Sequence, residues 1–417
     1  MDKLKLAVKK LGPGLLFASS AIGTSHLVLS TRAGAHHGMI YFWIIALCLL
    51  LKYPFYEFGA RYAATTNKNL LDAYREQGLW AIIIMATIII VNMFTVTAAV
   101  AAVTAGLLSV SLSLPSSSMP LMVFIVLFLT CGFLILGGFN ALNKLVKIIS
   151  LILLIAIGIC FSVLLFEGPQ HPPIPLKLPE LFEGTALILF ISLVGWMPSG
   201  MSGSVLHSIW VVKNRESNSY EISPSEVMTD FKTGYLFTSL TAFMFLLIGA
   251  YVVYGSGQKL EGNAVQFTAA LINIFTSTLG PWSKWIISIA ALGTIYGTLI
   301  VVIDAFSRAF LECRILILNL NTRPTERHQN IMILLVCTGA FLIFMCLSDG
   351  MIHMLEAATI ISFLCSPVLA FLNLRAVQKI AKEGLTSLPL YLTGLAYAGL
   401  ALLVCFALYY VWHIPSL

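Results

Sequence analysis

Apolar blocks of about 20 residues recur along the whole chain, separated by short polar stretches. At ~1.5 Å of rise per residue, such a block matches the roughly 30 Å hydrocarbon core of a bilayer. A chain crossing lipid must satisfy its backbone N–H and C=O groups internally, and blocks this long do so as helices. Eleven segments can be drawn, at 13–36, 39–62, 79–110, 120–138, 144–166, 185–211, 233–255, 282–306, 330–348, 351–374 and 388–413. Composition agrees: 59% of the 417 residues are apolar and 10% are charged, against about 25% charged in soluble domains. A soluble enzyme, a nucleic-acid binder and a disordered chain are excluded.

The positions of the basic residues carry more information than the net charge of +6. With the N-terminus inside, nineteen Lys and Arg fall on cytoplasmic segments. Four (Arg32, Lys177, Lys259 and Lys284) fall outside. That asymmetry predicts a cytoplasmic N-terminus and a periplasmic or extracellular C-terminus; a plasma (bacterial inner) membrane location is expected. The short loops predict one membrane domain over 1–417. The proline-rich 167–184 is expected to be extended and outside, and the polar loop 213–232 to lie at the inner surface. Seven of the eight cysteines sit in apolar segments without a CxxC pair, as packing residues do. The first apolar run opens on GPG without an evident cleavage site, so a removable signal peptide is not expected.

Two segments contain residues unfriendly to helices. Segment 1 carries Gly23-Thr24-Ser25-His26, and segment 6 carries Met197-Pro198-Ser199-Gly200 followed by Gly203. Paired interruptions in corresponding members of two five-helix halves point to a binding site at the bilayer midplane. Unwound backbone there survives only where protein encloses it or it lines a cavity. Gly, Ser and Pro also permit close packing or kinks, which one interruption alone would suggest. A matched pair favours substrate binding by Gly23, Thr24, Ser25, His26, Met197, Pro198, Ser199 and Gly200.

GPGLLFASSAIGTSH, followed by ARYAATTNKNLLDAYRE, resembles the opening of the NRAMP family of proton-coupled divalent-metal transporters. GWMPSGMSGSVLHSIW resembles that family's sixth span. DFKTGY before span 7 and EAATIISFLCSPVLAFLN in span 10 are similar to its divergent bacterial branch. The resemblance implies an all-α LeuT-like fold of eleven transmembrane helices. Two inverted five-helix repeats (11–166 and 185–374) would be followed by an extra helix (388–413), with spans 1 and 6 broken at mid-membrane. It also implies alternating access with a proton as coupling ion. Aligned on GPG, Gly23 takes the place of the family's metal-binding Asp, Thr24 and Ser25 of its Pro-Gly, and His26 of its Asn. Met197-Pro198 match Met-Pro, although alignment on the downstream Leu-His-Ser shifts this register by about three. Ser199 stands where metal-transporting members have a His, and His207 matches the second His. No acid lies between Asn92 and Ser113, and Thr130 and Cys131 fall near the acid expected in span 4. The candidate ligands are therefore neutral. His26 and Met197 would suit a soft metal, whereas Mn²⁺ or Mg²⁺ calls for carboxylates.

Few ionisable groups can be embedded, and each is a functional candidate because burial is costly. His207, Glu356 and Asp304 are candidate proton-relay residues, and His26 is a ligand or proton acceptor. Asp304 and Arg308, four apart, can also pair structurally. Glu356 and His353 can gate an outer vestibule. Lys52 and Glu57 are expected at the interface, with Lys52 snorkelling or pairing with a carboxylate of another helix. Trp282, Trp285, Tyr409, Tyr410 and Trp412 fit an outer aromatic belt. The expected function is secondary active transport of a divalent metal, with an amino-acid-like polar solute as the alternative cargo. A channel or a transport-inactive sensor ranks lower. No enzymatic motif appears, and no cofactor or nucleic-acid partner is expected. The lipid bilayer is the expected surrounding, with a monomer as default.

Overall fold

The computed structural model describes residues 12–171, 184–217, 221–257, 260, 264–280, 284–320, 324–347 and 351–413. Of the segment 167–184 predicted to be extended, residues 172–183 lie outside the described residues, as do Lys177, Lys259 and Trp282 and the side chains of Thr24 and His353. Among the described residues the regular structure is helical throughout. Among the described residues, eight helical stretches are long and apolar enough to cross a bilayer.

Segment 1 comprises α1 (Pro13–Ala21), a π-helix (Ile22–Ser30) and α2 (Thr31–His37). Helices α3 (Ile40–Thr66) and α5 (Leu79–Ser111) carry segments 2 and 3, with the short α4 (Leu70–Gln77) between them. Segments 4 and 5 occupy α6 (Met119–Glu167), which Gly138 divides into two helices by adopting φ 60° and ψ −168°, a conformation open to glycine alone. Segment 6 is split into α7 (Gly184–Trp196) and α8 (Gly203–Ser217). Then follow α9 (Pro224–Val252), α10 (Ala264–Leu279), α11 (Lys284–Leu318), α12 (Glu326–Leu347), α13 (Met351–Lys382) and α14 (Leu390–His413).

Three helical stretches depart from the hydrophobic pattern, and capping explains two. The loop expected at 213–232 is largely helix, because α8 continues to Ser217 and α9 begins at Pro224. Ser223 and Glu226 form a reciprocal capping box there, with Pro224 in the first turn. Asn69 and Asp72 nucleate α4 in the same way. The third, α10, lies between segments 7 and 8.

Segment 1 is held in place by α9. The Asp230 carboxylate accepts hydrogen bonds from the backbone N–H of Gly12 (2.9 Å) and Gly14 (2.8 Å). It thus binds the first orphan donors of α1 at the positive end of the helix. The two backbones touch at this point. A Cβ on Gly14 would lie 2.2 Å from the Asp230 carbonyl oxygen, and one on Gly234 would lie 2.2 Å from that of Gly14. The GPG and DFKTGY motifs therefore form the two sides of one contact.

Candidate substrate site

The predicted interruption in segment 6 is a real break. Helix stops at Trp196 and resumes at Gly203. In segment 1 the expected unwinding is absent: winding continues but widens to a π-helix. The Ser25 hydroxyl, at 2.6 Å from the Ala21 carbonyl oxygen, and the engaged His26 ring fasten this stretch, so no open backbone is left. Gly23 serves packing, because a Cβ there would lie 2.2 Å from Thr298 Oγ1 on α11. His26 is fully buried. Its Nε2 donates to the Thr238 carbonyl oxygen at 2.8 Å, and its Nδ1 lies 2.6 Å from Ser25 Oγ. Ser25 Oγ also lies 2.9 Å from the Pro198 carbonyl oxygen, so its single proton is shared among three acceptors that join the π-helix and the break.

A cavity of about 40 Å³ opens beside the break. Its walls come from segment 1 (Ser20, Ser25), α5 (Asn92), α7 (Trp196), the break itself, α11 (Val302, Phe306) and α13 (Ser362). Of the eight residues expected to bind substrate, Ser25, Ser199 and Gly200 line it, while Gly23, His26, Met197 and Pro198 do not. Among the described residues no cluster of three His, Cys, Asp or Glu is placed to hold a metal, and the His26–Met197 pair does not face this space.

Most carbonyl oxygens of the break are already engaged. Lys52 is 2% exposed, contrary to an interfacial position. Its ammonium donates to the carbonyl oxygens of Val194 (3.0 Å), Gly195 (3.0 Å) and Ser199 (3.3 Å). One turn along α3, the Tyr56 hydroxyl lies 2.5 Å from the Ser199 and 3.0 Å from the Gly200 carbonyl oxygen. The carbonyls of Leu193, Met201 and Ser202 accept from Met197, Ser204, Val205 and Leu206 N–H groups. Lys52 thus sits at the negative end of α7, where an ammonium is electrostatically favoured. The expected pairing of Lys52 with a carboxylate is not made among the described residues, and Glu57 bonds Arg61 instead.

The three proposed relay residues fall into separate clusters. Asp304 makes a bidentate pair with Arg308 at 2.7–3.0 Å. Glu356 accepts from Arg32 at 3.2 and 3.3 Å, joining α13 to the far end of segment 1. His207 is buried between the rings of Phe17 and Phe231, at 6.0 and 5.5 Å. Neither of its ring nitrogens has a partner among the described residues.

Asn92, Trp196, Ser202 and Ser362 were not singled out from the sequence. Asn92 was the most legible of them, as a carboxamide in the long apolar α5.

The natural resistance-associated macrophage protein-like (Nramp) profile matches residues 14–413. The uncharacterized protein PM0681 of Pasteurella multocida (strain Pm70) is 33% identical over 378 residues, covering 88% of this chain and 85% of that protein. Among solved structures, a manganese transporter of Eremococcus coleocola aligns with a TM-score of 0.73 at 15% identity, over 97% of this chain and 86% of the other. Mhp1, a nucleobase-cation-symport-1 family transporter in a closed conformation, aligns with a TM-score of 0.59 at 13% identity, over 87% and 77% of the two chains.

Proposed function

This chain belongs to the Nramp-like family of integral membrane transporters, and on that premise we propose that it moves its cargo by alternating access through the cavity at the break in segment 6. The observation that carries this reading is the cavity itself, which five segments of the sequence converge to enclose beside an interrupted helix. Irregular backbone at such depth is tolerated where it serves a buried site. In this reading 11–166 and 185–374 are the two inverted halves and 388–413 the added helix. The protein acts as a carrier rather than an enzyme.

Two cargo classes are compatible with that mechanism. Family membership and the likeness to the Eremococcus transporter favour a divalent metal driven by protons. The donor set favours a small polar organic solute, because hydroxyls, a carboxamide and an indole line the cavity without a carboxylate. A dication stripped of water at neutral donors is poorly compensated.

Uptake into proteoliposomes under an imposed proton gradient tests the carrier reading, with Mn²⁺ and radiolabelled amino acids run in parallel. Saturable, gradient-driven uptake that is lost on Ser199→Leu supports it. Non-saturating ion currents, or uptake indifferent to Ser199→Leu, would overturn it.

A further inference from the structure

We propose that the cavity beside the segment 6 break holds the carboxylate of a small organic acid or amino acid. This rests on the reading that the break is the cargo site, and it names the chemical class taken there.

Three polar atoms converge where Gly200 lacks a side chain. A Cβ at that point would lie 2.7 Å from Ser362 Oγ, 3.5 Å from Trp196 Nε1 and 3.6 Å from Ser202 Oγ. An acceptor oxygen close to this position would meet two hydroxyls and an indole N–H, and the indole can only donate. Trp196 is 7% exposed, lines the cavity and finds no acceptor for its N–H among the described residues. A buried donor left open in this way marks a place where a ligand completes the bonding.

The backbone adds to the same side. The N–H groups of Ser199, Gly200, Met201 and Ser202 meet no acceptor among the described residues, and they immediately precede the 15-residue α8. The positive end of that helix borders the break, with its own first N–H groups, from Gly203 to Leu206, bonded to the Gly200, Met201 and Ser202 carbonyl oxygens. Asn92, 2% exposed, lines the cavity with its carboxamide oxygen unpaired. Of this carboxamide only the NH₂ can serve a carboxylate, since its oxygen is an acceptor.

The opposite pole is already occupied. Lys52 offers three N–H donors to three carbonyl oxygens at the end of α7, which matches the ammonium form. Together with Tyr56, it takes the oxygens that an inorganic cation would need as ligands. A dication entering the cavity would meet few free oxygens and a resident positive charge, whereas an anion meets open donors. The size limits what enters: at about 10–15 Å³ per water, the ~40 Å³ cavity holds roughly three water-sized groups, enough for the carboxylate end of a small ligand.

The test is calorimetric titration of the purified full-length protein with acetate, glycine and alanine. Glycinamide serves as the control lacking a carboxylate, and Mn²⁺ as the competing class. Saturable binding of at least one carboxylate, absent for glycinamide, is expected. Trp196→Phe should weaken it at least tenfold, and Gly200→Ala, which fills the cradle, should abolish it. Thermal unfolding of both variants checks that they are folded. Binding of Mn²⁺ without any carboxylate, carboxylate binding unchanged in both variants, or no binding across the panel would overturn the inference. Proton-driven Mn²⁺ uptake sensitive to Ser199→Leu would, in the first case, leave the carrier reading standing.

Discussion

Lys52 and His207 are both buried polar side chains, yet their surroundings lead to opposite expectations. Lys52 has a carbonyl for each of its three N–H groups. Hydrogen bonds to a charged group contribute about 1.5–3 kcal/mol each, and removing one partner leaves the other buried and unpaired. Lys52→Met should therefore lower stability by about 3 kcal/mol or more, read as an earlier unfolding transition in detergent. Methylammonium added to the buffer should restore part of the loss; a variant as stable as the parent would show that the ammonium does not hold the break. His207 carries two nitrogens without partners among aromatic rings. Replacing an unsatisfied buried polar group by an apolar one of similar shape is neutral or stabilising. His207→Phe should unfold no earlier than the parent, which would mean that the imidazole is kept for function, whereas an earlier transition would assign it a structural bond. His207 stood out in the sequence because an ionisable group in an apolar helix is conspicuous. The role of Lys52 did not, because the carbonyls it binds lie 142 to 147 positions away and a lysine near a helix end ordinarily reaches for water.

Single elements show where a local pattern determines structure and where contacts between helices take over. The break in segment 6 was readable because Pro198 lacks an N–H and Gly200 and Gly203 resist regular helix. Gly23, Thr24, Ser25 and His26 carry similar signals, yet the chain stays wound there. The difference lies in tertiary partners: Ser25 and His26 bond the Pro198 and Thr238 carbonyl oxygens, and Gly23 packs against Thr298. Such partners favour a π-helix, in which polar side chains are accommodated without open backbone. The start of the same segment depends on Asp230, whose carboxylate takes two N–H groups of α1. Asp230→Ala should cost about 1–2 kcal/mol, as loss of an N-terminal cap does. Hydrogen exchange should rise first at the opening turn of α1. Exchange unchanged there, or raised evenly along segment 1, would mean that the carboxylate does not anchor this end.

At the scale of the whole molecule the two ends differ, and the difference indicates which side is open. Arg32 and Glu356 bind segment 1 to α13 at the end assigned to the outside by the distribution of basic residues. At the other end a larger cavity of about 320 Å³ lies among α4, α8, α11 and α12, with Lys68, Asp72, Lys213, Glu216, Arg308 and Glu326 on its walls. Charged walls admit water, so, if the basic residues mark the inside as proposed, this conformation is closed outside and wet inside. Gln329, on the wall of the inner cavity, and Ser362, in the central one, give two reporters. In a variant freed of its eight cysteines, Gln329→Cys should react with an impermeant maleimide in inside-out vesicles and be protected in right-side-out vesicles. Ser362→Cys should resist the reagent applied outside. Glu356→Ala removes the carboxylate that Arg32 binds, in a pair whose side chains are only 7% and 14% exposed, and losing one partner of a largely buried pair costs about 3 kcal/mol. That amounts to on the order of a hundredfold in a two-state equilibrium, and outside labelling of Ser362→Cys should rise markedly. The reverse sidedness at Gln329 would invert the orientation read from the basic residues. Unchanged labelling at Ser362 would mean that the Arg32–Glu356 contact does not bias the outer closure, leaving packing between segment 1 and α13 to hold it.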